Sequence, residues 1–126
     1  MWSELFTKAT AILDSAKITD SEWTFGGDTA LALYFQHRES KDIDIFLTDA
    51  QYLPFLSPRL NKAAKKIVND YTEASNFVKL RFPKGEVNFI IAPHLTKNYY
   101  CIKEINGRQI CIETPEEIIT KNFLQG

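Results

Sequence analysis

A chain of 126 residues, 44% hydrophobic and 25% charged, has the composition of a globular domain long enough to bury a core. Its net charge of −1 excludes a global attraction to nucleic acid or to an anionic surface, so any such contact must use a local patch. No apolar run approaches a membrane span, and the start lacks a basic segment followed by an apolar one; this predicts one domain over 1–126, in the cytoplasm, with no membrane partner.

In chain order, residues 3–16 are predicted helical, with Leu5, Ala9, Ile12, Leu13 and Ala16 at helical spacing and Glu4, Lys8 and Asp14 facing away. Ile18–Ser21 reads as a loop into a strand at Trp23-Thr24-Phe25. Gly26-Gly27 permits a tight turn, after which Thr29–Phe35 switches to helix formers, with Asp28 or Thr29 placed to cap the first turn. Free N–H groups at such a helix start form a ready site for a phosphate. A second strand, Asp42–Leu47, carries Asp42 and Asp44 at i and i+2, hence on one face, with Ile43 and Ile45 directed into a core. Two carboxylates beside a phosphate-binding turn suit Mg2+, which takes carboxylates together with substrate phosphate oxygens.

Beyond Thr48-Asp49 a short segment reaches Leu53, and Pro54 and Pro58 interrupt the chain after it. Pro58 suits the first turn of a helix over Arg59–Val68 whose buried stripe is Leu60, Ala63, Ala64, Ile67 and Val68. Lys62, Lys65 and Lys66 fall on its outer face, either as a solvated surface or as a patch for RNA phosphates. Phe77–Phe82 and Glu86–Ile91 alternate as a hairpin about Pro83-Lys84-Gly85. Asn106-Gly107 is a type I′ turn signal between Tyr99–Ile105 and Arg108–Glu113. A two-residue turn there pairs Ile102 with Cys111 and Cys101 with Ile112, putting the two cysteines on opposite faces, unbridged, as a reducing compartment requires. Apart from these, His37 and His94 supply no zinc-ligand spacing. A last helix starts near Pro115, capped by Thr114, with Ile118, Ile119 and Phe123 to bury.

The run Gly26-Gly27-Asp28-Thr29-Ala30-Leu31-Ala32-Leu33, with His37-Arg38-Glu39-Ser40-Lys41-Asp42-Ile43-Asp44 after it, resembles the AbiEii/AbiGii-type toxin family of the nucleotidyltransferase superfamily. The likeness continues through Asp49–Leu53, Leu56–Leu60 and Glu117–Ile119, most of the chain. It implies an α/β (α+β) fold, a mixed twisted sheet with flanking helices, without the C-terminal helical region of relatives. It also implies transfer of a nucleotide from an NTP to RNA, such as tRNA, or to protein, in a type IV toxin–antitoxin system. The family's site would comprise Asp42 and Asp44 as metal-binding catalytic carboxylates, and Gly26, Gly27, Thr29, Arg38 and Ser40 around the nucleotide.

The third superfamily carboxylate falls at Asn88, where relatives read Glu-Ile-Asp-Phe; Glu86, on the same strand face, is the residue placed to substitute. Asp28 stands where relatives have a third glycine, and Asn122 where they have a phosphate-binding lysine, leaving the adjacent Lys121 as the available ammonium. Arg38 either grips a triphosphate or pairs with a carboxylate; His37 either orients its loop or acts as a base; Ser40 caps the turn rather than attacking, since no triad partner is evident. The alternative to an enzyme is a catalytically degenerate relative that binds nucleotide weakly or acts through protein contacts. A chain without the C-terminal region of relatives would expose Ile119 and Phe123, to be covered by an antitoxin or a second copy.

Overall fold

The computed structural model describes residues 2–35 and 41–125. Helix α1 (Trp2–Ser15) leads through a 3-10 turn (Asp20–Glu22) into β1 (Trp23–Gly26), and α2 (Gly27–Phe35) comes at once. Then come β2 (Ile43–Leu47), a 3-10 segment (Ala50–Leu56), α3 (Lys62–Ile67), β3 (Asp70–Glu73), β4 (Phe77–Phe82) and β5 (Gly85–Ile91). The hairpin β6 (Tyr100–Ile105) and β7 (Arg108–Glu113) precedes α4 (Pro115–Gln125). Among the described residues the strands form one seven-stranded sheet in the order β3-β4-β5-β2-β1-β7-β6. It is mixed: β1 runs antiparallel to β2 and parallel to β7, and β2 runs parallel to β5.

The period-2 pattern divides the sheet into two faces. Phe25, Ile43, Ile45, Val78, Leu80, Val87, Phe89 and Ile112 are fully buried on one, against Leu5, Phe6, Ala9, Ile12 and Leu13 of α1. Phe6 sits 4.9 Å from the Phe25 ring and 6.2 Å from that of Trp23, centroid to centroid. Each such side chain contributes about 1.5–3 kcal/mol of transfer free energy, so this layer holds the fold together. The opposite face carries Gly26, Asp44, Asn88 and Lys79, one from each of β1, β2, β5 and β4.

The hairpin register agrees with the sequence: Ile105 pairs with Arg108, Ile102 with Cys111 and Cys101 with Ile112. Asn106 (φ 53°) and Gly107 (φ 79°) both take the positive φ of a type I′ turn, and both cysteines are free.

Two helices differ from expectation. The third is confined to Lys62–Ile67, and Pro58 lies in a preceding turn rather than in its first turn. There the Ser57 carbonyl accepts from both Leu60 N and Asn61 N, and the Asn61 side chain caps the helix by accepting from Ala64 N at 2.8 Å. Ala64 and Val68 are buried, whereas Leu60 and Ile67 are 50% and 42% exposed. Helix α3 packs on α1, so the sheet separates Lys62, Lys65 and Lys66 from Asp44. In α4, Ile118 is buried but Ile119 and Phe123 are 55% and 86% exposed. The inward stripe is set instead by Glu117, Ile118 and Lys121, one turn apart, which turns Ile119 and Phe123 outward. Among the described residues no helix is long and apolar enough to cross a membrane.

Candidate active site

Strand β1 ends at Gly26 and α2 begins at Gly27, whose φ of +74° is open to glycine and strained for any side chain. A Cβ at Gly27 would also collide with the Asp44 carboxylate. The turn and the carboxylate are therefore in direct contact, and only the absence of a side chain allows it. The Thr29 hydroxyl donates to the Asp42 carbonyl, tying the first turn of α2 to the start of β2 instead of capping its own helix. Asp28 is exposed in that first turn.

Asp44 faces Gly26 on one side and Asn88 on the other in the strand register. Asn88 Nδ2 donates to Asp44 Oδ1 at 2.8 Å, and Glu86 N donates to Asp42 Oδ1 at 2.9 Å. The Glu86 carboxylate itself turns to Lys79, 3.7 Å away. Burial pushes the Asp44 carboxyl up to about 6; the Asn88 hydrogen bond opposes this, and Asp42, Asp28 and Glu86 add to it through their charges.

The site thus assembles four of the residues expected from sequence, Asp42, Asp44, Glu86 and Asn88, around the glycine turn with Thr29. Arg38 and Ser40, with His37, lie outside the described residues. Lys121 is 3% exposed, its ammonium 2.5 Å from Glu113 Oε2, 3.4 Å from Glu117 Oε2 and 4.1 Å from the centre of the Phe46 ring.

Glu113 belongs to none of the motifs that the sequence displays. Fully buried, it accepts from Thr24 Oγ1 at 2.7 Å, while its Oε1 has no partner among the described residues and abuts Gly26, where a Cβ would lie 2.5 Å from it. Burial raises its carboxyl, against the pull of Lys121 and Thr24. Burial works the same way on Glu117, but hydrogen bonds from Thr96 and the Leu95 and Thr96 amides, with Lys121, leave that carboxyl lowered. The sequence signal for this cluster is the Glu117/Lys121 pair at i and i+4, one turn after a strand ending in an acid.

A hard divalent cation fits the donors present. Asp42 and Asp44 offer carboxylate oxygens, and the buried Asn88 Oδ1 has no hydrogen-bond partner among the described residues. Among those residues no three His, Cys, Asp or Glu side chains converge on a metal, so substrate oxygens would have to complete its shell.

A glycine turn into a helix, flanked by Asp-x-Asp on a strand of a mixed sheet, defines a nucleotidyltransferase fold, and solved structures agree. ANT(2″)-Ia in complex with adenylyl-2″-tobramycin is similar at TM-score 0.65 and 16% identity, over 98% of this chain and 75% of that one. A Thermotoga maritima protein assigned as a nucleotidyltransferase is similar at TM-score 0.62 and 18% identity, over 98% and 85%. No curated protein sequence is significantly similar. Residues 11–121 match the family described as nucleotidyl transferase AbiEii toxin, type IV toxin–antitoxin system. The chain belongs to that family, whose systems pair such a toxin with an antitoxin.

Proposed function

We propose that the chain binds an NTP with Mg2+ at Asp42, Asp44 and Asn88 and transfers its nucleotide to a hydroxyl of RNA or protein. The observation that carries this reading is the contact between the Gly27 turn and Asp44, with Asn88 bonded to the far side of the same carboxylate. It puts the free N–H groups of α2, an anion site, beside the charges that bring a metal to a phosphate. The metal, when bound, neutralises the triphosphate and lowers the pKa of the attacking hydroxyl.

The acceptor oxygen forms a bond to the α-phosphorus as the α–β bridging bond breaks, and pyrophosphate leaves with that electron pair. The hydroxyl proton passes to a carboxylate oxygen of the Asp42/Asp44 pair. Gly26, Gly27 and Thr29 hold the turn against β2, and Arg38 and Ser40 complete the phosphate contacts. Lys121 supports the turn from beneath through Glu113. The exposed Ile119 and Phe123 of α4 receive the antitoxin or a second copy.

One observation favours a second reading, nucleotide binding without turnover: Asn88 gives Asp44 an amide donor where a third carboxylate would add charge. Isothermal titration of each NTP with Mg2+, beside Asp42→Ala/Asp44→Ala, tests both. Binding that needs metal and aspartates, together with transfer of labelled nucleotide, supports the enzyme. Binding without transfer, restored by Asn88→Asp, supports the second reading, and no heat at millimolar nucleotide sinks both.

Asp28→Gly provides a further check. It removes a charge from the helix start that a triphosphate approaches, so NTP affinity is expected to rise by about 0.5–1 kcal/mol at low salt, an effect that added salt diminishes. Unchanged affinity in the same titration would place the phosphates elsewhere.

A further inference from the structure

We infer that a second copy of this chain joins through the free edge of β6, the two strands running antiparallel about a two-fold axis at Ile102. Among the described residues the sheet has two edges, β3 and β6, and they differ. Strand β3 is 4 residues long, and Arg81 pairs with Asp70 at one end of it while Arg59 pairs with Glu73 at the other. A short edge guarded by charge resists further pairing. Strand β6 has 6 residues, each paired in unbroken register with β7, and contains no proline or bulge. Its one lysine, Lys103, reaches over the Tyr34 ring, 5.0 Å from the centroid.

The register of β6 selects its own copy as the occupant. Thr114 N donates to the Tyr99 carbonyl, and the antiparallel ladder alternates from there, so Cys101, Lys103 and Ile105 bond to β7. The backbone N–H and C=O groups of Tyr100, Ile102 and Glu104 therefore point outward. The same three side chains are exposed, Ile102 at 53% and Tyr100 at 43%. Centred on Ile102, a second β6 brings all three residues into hydrogen-bonded pairs, about six bonds in all. On the exposed face Ile102 meets Ile102, and each Tyr100 meets a Glu104, an apolar contact flanked by two hydroxyl–carboxylate pairs. On the other face Lys103 meets Cys101, so no like charges are opposed. Centred on Lys103 instead, the strands would set lysine against lysine; centred on Cys101, Glu104 would fall beyond the end of the second strand. Three strand spacings, about 14 Å, separate β6 from β2, so the carboxylates of both copies stay open on one face of the joined sheet.

The test is sedimentation velocity of the chain from micromolar to millimolar concentration, where wild type is expected to form a dimer of micromolar affinity, as suits a small interface. Ile102→Lys sets two ammonium groups against each other on the axis and leaves every bond to β7 in place. It should weaken dimerisation about tenfold, while its thermal melt, read below the dimerising concentration, reports that the fold is intact. Ile102→Cys puts two thiols on the axis with Cα atoms about 5.5 Å apart, within disulfide reach, so mild oxidation should give a cross-linked dimer on a non-reducing gel. Glu104→Cys, away from the axis, should give none, and wild type controls for the free Cys101 and Cys111. A wild type that stays monomeric at millimolar concentration overturns the inference. So does a dimer that survives Ile102→Lys or yields no cross-link through Ile102→Cys, and a dimer abolished instead by Phe123→Asp would seat the second copy on α4. Nucleotide titration is independent of all these outcomes, because β6 carries no residue of that site.

Discussion

Asp44→Asn is expected to raise the melting temperature of the free chain by several degrees at pH 8 while abolishing Mg2+-dependent nucleotide binding. The carboxyl is raised from 3.8 to about 6 because it is buried beside other acids with one amide donor, Asn88, as compensation. A raised folded-state value means that the proton is held more tightly in the native state. Stability from this group is complete below the unfolded value and is lost as pH climbs through about 6. The ionised form therefore costs the fold about 1–3 kcal/mol at pH 8, which the neutral amide removes. Near pH 4 the advantage of the variant should be mostly gone, since Asp44 is then protonated in the native state and partly protonated in the unfolded chain. Thermal melts of wild type and variant across pH 4–8, with and without Mg2+-NTP, check this. A variant less stable than wild type at pH 8 would mean that Asp44 serves the fold, and the strain at this position would lose its functional explanation.

That the two glycines and the two aspartates meet was legible in the sequence. Gly26-Gly27 and Asp42-x-Asp44 are local patterns, and the parallel and antiparallel pairings of β2 bring them together with Asn88 in the positions the motif implies. The hairpin was equally legible, because Asn106-Gly107 sets the register of every pair from Ile105–Arg108 outward. Legibility failed where a side chain outside the periodic pattern decides the outcome. Asn61 begins α3 later than Pro58 suggests, since its amide is also held by Ser15 and Phe55 from elsewhere in the fold. In α4 the apolar residues compete for the inward face with Glu117 and Lys121. The charged pair wins because Glu113 and the Leu95 and Thr96 amides wait there, contacts that no spacing along α4 reveals.

Lys121→Met should be the most destabilising single change in this part of the chain. A methionine fills much the same volume, so the loss is electrostatic. Glu117 keeps three donors from Leu95 and Thr96, but Glu113 keeps only Thr24 Oγ1 among the described residues, with Oε1 already unpartnered. Breaking a buried pair by removing one partner costs about 3–5 kcal/mol, far more than replacing both. Burial already raises the Glu113 carboxyl with the ammonium in place, and without it the rise is larger. The penalty should therefore be greatest at pH 8 and shrink as pH falls toward the unfolded carboxyl range, where Glu113 enters the fold protonated. Lys121→Met/Glu113→Gln should recover most of the loss at pH 8, because the amide needs no countercharge. Urea unfolding of the two variants at pH 5 and pH 8 provides the measurement. A pH-independent loss, unrelieved by Glu113→Gln, would show that packing against the Phe46 ring, 4.1 Å from the ammonium, is what Lys121 contributes. With the pattern as expected, this ion pair is what keeps a charged Glu113 carboxylate buried against Gly26.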